Sequence, residues 1–274
     1  MKNNIIIHFI CPDQKGIISK LTTILYDAGN NILSIEQHVD KENQKFYIRI
    51  SIEKKLVKEY FPKDKLLKLS EKLNGKISFF DSDKKVNVAI LGTKESEPIY
   101  DLLIKNSSGE FKCEFPILIS NHDKLLSVAK QFDIDFYNIN NDKELIDILK
   151  NKKIDLLVLA RYMQIIPKDI VQLYHNNIIN IHHSFLPAFK GARPYHQAYE
   201  KGVKVIGATA HYVTDKLDEG PIICQDVINI SHKDSANHMI KLGREVERTV
   251  LYRAVKAHLE HKIIVYNNKT IIFN

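Results

Sequence analysis

The chain has 274 residues, of which 44% are hydrophobic and 27% charged, a balance typical of a soluble globular protein and not of a disordered or membrane chain. The formal net charge is +7, but the lysines are scattered and no basic block is interleaved with aromatic residues, so we expect no nucleic-acid binding. The three cysteines are far apart in the chain, which excludes a disulfide framework. The apolar runs are shorter than the ~20 residues of a membrane helix, and none is followed by a signal-peptide cleavage site. We therefore expect a cytoplasmic protein.

The first 82 residues are predicted to alternate between strands and helices. Two segments have the apolar spacing of amphipathic helices, "KGIISKLTTILYDAG" and "PKDKLLKLSEKLNG". Together with four predicted strands they give the order βαββαβ; the strands are "NIIIHFIC", "NILSIEQHVD", "KFYIRISIE" and "KISFF". This order predicts a ferredoxin-like domain, residues 1–82, in which two helices cover one face of a four-stranded antiparallel sheet.

A short polar segment, "DSDKK" at residues 81–85, predicts the boundary to a second domain, residues 86–274. Helices are expected near 97–105, 122–132 and 142–151, between the strands "VNVAILG", "FPILIS", "DFYNI" and "IDLLVLAR". Nearly continuous apolar strands separated by helices predict a Rossmann-like, mostly parallel sheet. The chain is therefore expected to be an α/β protein whose ligand site lies beyond the carboxyl ends of the second domain's strands.

A polar cluster, "NIHHSFLP" at residues 180–187, stands where the predicted strand "NNIINI" ends. Asn180 and His182 are two positions apart, so they share one face of the strand. The Asn180 amide can donate a hydrogen bond to an oxygen that gains charge, and His182 can transfer protons near neutral pH. The turn in "LDEGPII" adds Asp218, which either raises the proton affinity of His182 or accepts a proton from an attacking water; spacing does not decide between these roles.

Each of these residues also has an ordinary structural explanation, because Asn and His satisfy loop backbones and Asp before Gly forms turns. However, Thr209 and His211 share a face of the strand "GATAHYV", so four polar groups accumulate in segments predicted as core. This accumulation favours a functional site. We interpret His183 and His196 as structural, and no combination of these residues has the spacing of a metal site.

The turn after the first strand of the second domain, "GTKESEP", occupies the usual phosphate-binding position of such folds. It has one glycine and two glutamates, Glu95 and Glu97. A dinucleotide site is therefore not expected, and the sequence predicts no cofactor.

The segment "NIHHSFLPAFKGARPYHQAYEKGVKVIGATAHYVTDKLDEGPIICQDV" closely resembles the formyltetrahydrofolate deformylase family of the formyltransferase superfamily. The similarity extends through "LLVLARYMQIIP", "GREVERTVLYRAVKAHLE" and "KTIIF", and the N-terminal region resembles an ACT domain with its "PDQKGI" turn. The resemblance implies hydrolysis of 10-formyltetrahydrofolate to formate and tetrahydrofolate. It further implies that the formate supplies purine synthesis and that the reaction balances the one-carbon folate pool.

The resemblance also implies residue roles. Water would attack the formyl carbon, Asn180 and protonated His182 would stabilise the oxyanion, and Asp218 would assist proton transfer. The implied substrate-binding residues are Gln164, Ile165, Ile166, Thr209, His211 and Thr214. ACT domains bind small amino acids between paired copies, which implies an amino-acid effector and a homo-oligomer; the expected effector loops contain Asp13, Gly16, Gly29 and Asn30.

One loop departs from the family pattern. Lys94 matches, but Glu97 and Pro98 stand where the family usually has His-Cys.

The main alternative to hydrolysis is formyl transfer to an amine acceptor, as in glycinamide ribonucleotide formyltransferase. That reaction needs a phosphate cradle, which Glu95 and Glu97 would oppose. A catalytically silent amino-acid or folate sensor is the alternative outside enzymes.

Overall fold

The computed structural model describes residues 4–54, 61–188 and 194–274. Residues 189–193, which belong to the central segment of the family resemblance, lie outside the described residues. The chain forms two compact units. The first contains residues 1–84, 260–266 and 271–274, and the second contains residues 85–259 and 267–270.

The first unit has the predicted βαββαβ order. Its elements are β1 (Asn4–Pro12), α1 (Ile17–Asp27), β2 (Ile32–Asp40), β3 (Lys45–Glu53), α2 (Lys63–Lys72) and β4 (Lys76–Asp81). The strands pair antiparallel in the order β2-β3-β1-β4. The predicted ferredoxin-like arrangement of this unit is confirmed.

The core of the first unit follows from strand alternation. Phe46, Ile48 and Ile50 of β3 point to one face, where they pack in one cluster with buried leucines of α1 and α2. Tyr47, on the other face, packs against Ile264 and the neighbouring C-terminal residues. Both faces of the sheet are therefore covered, which explains why β3 is buried over nearly its whole length.

The second unit is built on a seven-stranded sheet. Its elements are β5 (Val86–Leu91), α3 (Glu97–Ser107), β6 (Cys113–Ser120), α4 (Leu126–Gln131), β7 (Asp135–Asn138), α5 (Asp142–Asn151), β8 (Leu156–Leu159), α6 (Lys168–Leu173), β9 (Ile178–His182), α7 (Pro194–Glu200), β10 (Val205–Tyr212), β11 (Ile222–Asn229) and α8 (Ala236–Leu259). The strand order is β11-β10-β9-β8-β5-β6-β7. Strands β5 to β9 are parallel, whereas β10 and β11 are antiparallel additions.

The predicted mostly parallel sheet is thus confirmed, and its helices lie close to their expected positions. The helix expected near 122–132 begins with a short 3₁₀ turn at Asp123–Leu125 before α4. Strand order reverses around β5, so the carboxyl ends of β5, β8 and β9 lie side by side at one edge of the sheet. This edge is where a ligand crevice is expected.

The C-terminus differs from the sequence-based expectation. The second domain was expected to extend to residue 274, but residues 260–266 and 271–274 belong to the first unit. They form most of a hairpin of β12 (Ile263–Tyr266) and β13 (Lys269–Ile272). Tyr47 of β3 offers this segment an aromatic surface, and periodicity within the segment alone does not reveal that partner. No described helix combines the length and apolar character needed to cross a membrane.

Candidate active site

The candidate site lies at the carboxyl end of β9, where β10 runs antiparallel beside it. His211 of β10 is paired with Asn180, and Thr209 is paired with His182. Because alternate residues of paired strands share a face, this register places all four polar side chains on one side of the sheet. The grouping expected from the sequence is therefore brought together by backbone pairing.

Asp218 reaches this face from the loop that joins β10 to β11. Its Oδ2 lies 3.3 Å from Nδ1 of His182, and its Oδ1 lies 3.6 Å from Nε2 of His211. The base of the loop is closed by a hydrogen bond from the Tyr212 N–H to the Pro221 carbonyl, 2.9 Å. Gly220 has to be glycine, since a Cβ there would lie 1.7 Å from the Tyr212 carbonyl oxygen. The loop thus holds the carboxylate against both histidines.

Asp218 is held in its ionised form by its neighbours. Its pKa lies well below the usual range, first because His182 and then His211 hydrogen bond to the carboxylate, while burial opposes the shift. Its backbone is left-handed, with φ of 55°, a conformation that aspartate tolerates better than most residues. The cluster therefore contains a fixed negative charge beside two imidazole rings.

His211 connects Asn180 to Asp218. Its Nδ1 donates to the Tyr212 carbonyl oxygen at 2.9 Å, so Nε2 is the nitrogen that faces the site. The Nδ2 of Asn180 lies 3.2 Å from that Nε2. The Asn180 amide has two hydrogens, so at least one of them points away from His211.

His182 has one engaged ring nitrogen and one open one. Its Nδ1 faces Asp218, whereas its Nε2 is buried and has no hydrogen-bond partner within the described part of the chain. The side chain is only 7% exposed. A buried polar atom without a partner is costly and rare, so this nitrogen is suited to a ligand atom.

Thr209, expected to contact substrate, has no hydrogen-bonding capacity left. It is 0% exposed, and its hydroxyl donates to the Ser184 carbonyl while accepting from the Leu186 N–H and from Nε2 of Gln225. One donor and two acceptor sites are all that a hydroxyl has. Thr209 therefore fixes the loop that follows β9.

The other expected substrate-binding residues, apart from His211, belong to the loop after β8 and to the loop between β10 and β11. Gln164 and Ile165 are exposed, Ile165 to 81%, while Ile166 is buried in the core of the second unit. The Thr214 hydroxyl donates to the Lys216 carbonyl in its own loop. Met163 and Leu217, which the sequence reasoning missed, are also exposed apolar residues in these loops. Apolar side chains in segments predicted as loops were the signal that could have identified them.

A second group of polar residues lies near His182; it contains His183, which the sequence indicated to be structural, and Arg161 and Glu247, which were not among the expected site residues. The His183 ring lies 5.4 Å from that of His182 and 6.1 Å from that of Tyr195. Burial first, then the positive charge of Arg161, lowers the pKa of His183 to about 3, so its ring is neutral. The position of Arg161, two residues after the buried strand β8, was the available signal. Its buried partner Glu247, within a helix, offered none.

The expected effector residues of the first unit lie in two turns that have structural roles of their own. Gly29 and Asn30 end α1, where their N–H groups donate to the carbonyls of Tyr26 and Leu25; this is a Schellman cap that needs the positive φ of Gly29, 70°. Asp13 and Gly16 are exposed between β1 and α1. Within residues 4–54, 61–188 and 194–274, no group of three or more His, Cys, Asp or Glu side chains is arranged to hold a metal ion.

Comparison with known proteins places this geometry in a family. The Formyl transferase family pattern matches residues 86–255, and the ACT domain pattern matches residues 5–57. A formyltetrahydrofolate deformylase of Synechocystis sp. is 45% identical over 96% of both chains, and that of Bacillus subtilis is 41% identical over 96% of this chain and 92% of its own. The crystal structure of a formyltetrahydrofolate deformylase from Pseudomonas syringae pv. tomato superposes with a TM-score of 0.95 at 37% identity, covering 100% of this chain and 95% of that chain. The chain belongs to the formyltetrahydrofolate deformylase family.

Proposed function

We propose that this protein hydrolyses 10-formyltetrahydrofolate to formate and tetrahydrofolate. Family membership supports the activity, and one observation carries the assignment of the site: the open Nε2 of His182, whose other nitrogen faces the ionised Asp218. A carboxylate behind an imidazole stabilises the protonated ring, and the protonated ring directs an N–H outwards. This is the arrangement needed to stabilise an oxyanion.

In the proposed mechanism, water attacks the formyl carbon and the carbonyl oxygen becomes a tetrahedral oxyanion. Nε2–H of protonated His182 and the free amide hydrogen of Asn180 donate to that oxygen. Each such donor contributes a factor of about 10² to 10³ in rate. Asn180 is held in place by His211, which therefore acts as a positioning residue instead of contacting substrate.

Asp218 assists proton transfer from water. Its low pKa makes it a weak base towards free water, so transfer becomes favourable only as the attacking oxygen gains positive charge in the transition state. The proton then passes to the N10 nitrogen as the C–N bond breaks. Formate and tetrahydrofolate leave, and the formate is available for purine synthesis.

The expected folate pocket is formed by the loops that carry Ile165 and Leu217. Their exposed apolar side chains suit a planar heterocycle, and Gln164 and Thr214 are in the same loops for polar contacts.

In the first unit, we propose that a small amino acid binds near Asp13 and Gly16 of a homo-oligomer and regulates the reaction. Titrating amino acids while measuring formate release tests that regulation.

Purified protein incubated with 10-formyltetrahydrofolate alone should release formate and tetrahydrofolate in equal amounts. Glycinamide ribonucleotide, added in a parallel reaction, should neither be required nor become formylated. Formate release that depends on the amine would instead assign the protein to formyl transfer. Folate binding with no turnover would assign it to the sensor class.

A further inference from the structure

The turn of the C-terminal hairpin is bonded to the loop between β10 and β11. This turn, residues 267–270, belongs to the second unit, although the chain on either side of it belongs to the first. Nδ2 of Asn268 donates to the Glu219 carbonyl at 3.0 Å, and Oγ1 of Thr270 donates to the Ile222 carbonyl at 2.6 Å. We call Asn268 and Thr270 the turn clamp.

The turn clamp holds the loop next to its functional side chain. Glu219 directly follows Asp218, and Ile222 begins β11, where it pairs with His211 of β10. The Asp218 carboxylate lies 3.3 Å from His182 and 3.6 Å from His211. The clamp therefore fixes the residue beside the carboxylate and the residue opposite one of its two partners.

The two ends of this loop are held differently. At its entry, the Tyr212 side chain is buried, and its hydroxyl lies 2.8 Å from Nδ1 of His258. At its exit, β11 is an edge strand of the seven-stranded sheet, and Ile222 is 36% exposed. An edge strand has a neighbouring strand on one side only. The exit end is therefore the one that gains most from an additional hydrogen-bond partner.

Bonds inside the loop do not determine where it lies. The Lys216 carbonyl accepts from the Thr214 hydroxyl and from the Glu219 N–H, and both bonds close tight turns within the loop. A surface loop closed by its own turns is free to shift as a body. Asp218 needs an accurate position, because its contacts of 3.3 and 3.6 Å are already long, and an outward shift of about 1 Å would break both.

We propose that Asn268 and Thr270 are positioning residues that hold Asp218 against His182 through the backbone of its loop. The inference rests on the proposed hydrolysis and adds to it two residues that act through Asp218. They lie 49 and 48 residues beyond the carbonyls that they bind, so sequence spacing gives no indication of them. Loss of the clamp should lower kcat, and it should do so only while Asp218 is present.

The test removes both bonds with little change of shape, in Asn268→Asp/Thr270→Val. Aspartate lacks the amide hydrogens of Asn268, and valine lacks the hydroxyl of Thr270. We expect kcat for formate release by the full chain to fall about tenfold. Thr270→Ser, which keeps the hydroxyl, should stay within about twofold of the wild type. The matched control Asn267→Asp adds the same charge one residue earlier and leaves both bonds in place, so its kcat should also be unchanged.

Repeating the clamp variant in the Asp218→Asn background separates positioning from a general loss of stability. A residue that acts through Asp218 has nothing left to position there, so kcat should change by less than about twofold. A second tenfold loss in that background would overturn the proposal. A clamp variant with wild-type kcat would overturn it as well.

Backbone hydrogen exchange tests the clamp without reference to hydrolysis. The Tyr212 N–H is bonded to the Pro221 carbonyl at the base of the loop, so its exchange reports opening of the loop. It should be at least about threefold faster in Asn268→Asp/Thr270→Val than in the wild type or in Asn267→Asp, measured by NMR on the full chain. Unchanged exchange would overturn the positioning role. A wild type that releases no formate would instead overturn the proposed hydrolysis, and the exchange result would still decide on the clamp.

Discussion

Two buried histidines, one in each unit of the molecule, show how different the consequences of burial can be. His8 lies on β1 of the first unit, where its Nε2 donates to the His261 carbonyl at 2.8 Å and its ring meets that of Phe80 edge-on. Burial lowers its pKa to about 4, so it is neutral. His182 is equally buried, but its Nδ1 faces a carboxylate and its Nε2 has no partner among the described residues.

The comparison shows that burial by itself does not make a histidine catalytic. His8 uses its proton to satisfy a backbone carbonyl, and it is not placed against a carboxylate that would favour the charged ring. His182 has both a carboxylate beside one ring nitrogen and an open nitrogen on the other side. The two histidines differ in the groups that surround the ring. The ring of His182 and the carboxylate beside it can each be removed by a separate substitution.

The largest difference in kcat is expected between the two variants in which His182 or His8 is exchanged for glutamine. His182→Gln should lower kcat for formate release by a factor of about 10² to 10⁴, because it removes both the proton donor and the positive charge. His8→Gln should leave kcat within a few-fold of the wild type, since glutamine can still donate to the His261 carbonyl. Steady-state assays of both variants provide the measurement. Equal losses would end the distinction between the two sites.

The second-largest effect on kcat is expected from removing the carboxylate beside His182. Asp218→Asn should lower kcat by a factor of about 10² to 10³, because the neutral amide cannot stabilise the protonated ring or take a proton from water. Folding should persist, as judged by circular dichroism, since the side chain is similar in size and shape. A variant with near-normal turnover would remove Asp218 from the mechanism.

Asn180→Ala is expected to cost a factor of about 10² to 10³ in kcat with little change in KM, because its free amide hydrogen acts on the oxyanion and not on the ground state. His211→Phe should produce the same kind of loss, but a smaller one of roughly tenfold, because it releases Asn180 from its position and removes one of the two histidines beside Asp218. Measuring kcat and KM of the two single variants and of the double variant checks both expected losses. Fully additive effects would contradict a role for His211 that acts through Asn180.

Much of this site could be predicted from the sequence, because it follows from local rules. Two-residue spacing places Asn180 and His182 on one face of a strand, and the Asp-Glu-Gly-Pro sequence predicts a turn for Asp218. The alternating strands and helices similarly predict the βαββαβ element order of the first unit and the mostly parallel sheet of the second. These features depend on a few neighbouring residues.

What the sequence could not provide depends on distant partners. Glu247 and Arg161 are far apart in the chain, and nothing in the helical periodicity around Glu247 indicates that a carboxylate on its buried face meets an arginine. Thr209 shows the converse case, since its polar side chain in a core strand suggested substrate contact, whereas two backbone groups and the Gln225 side chain use its hydroxyl completely. Satisfied and open polar groups are distinguished only by coordinates.

The smallest expected effect is that of His8 on the pH dependence of the free energy of unfolding. Its folded pKa of about 4 lies below the ordinary unfolded value of 6.5. Between these values the unfolded chain binds the extra proton, so the contribution is complete above pH 6.5 and is lost as the pH falls towards 4. The free energy of unfolding, measured by urea titration, falls as the pH drops across that range, and we expect His8→Gln to make this fall smaller by about 1–3 kcal/mol. An unchanged pH dependence would mean that His8 titrates normally when folded.

The central claim is that His182, supported by Asp218, activates the formyl group for attack by water. It is tested most directly by single-turnover formate release in ¹⁸O-labelled water, with the wild type and His182→Gln compared and no amine present. The wild type should produce formate that carries one ¹⁸O per turnover, and the variant should lose at least about 10² of that rate. Labelled formate released by His182→Gln at the wild-type rate would contradict the account.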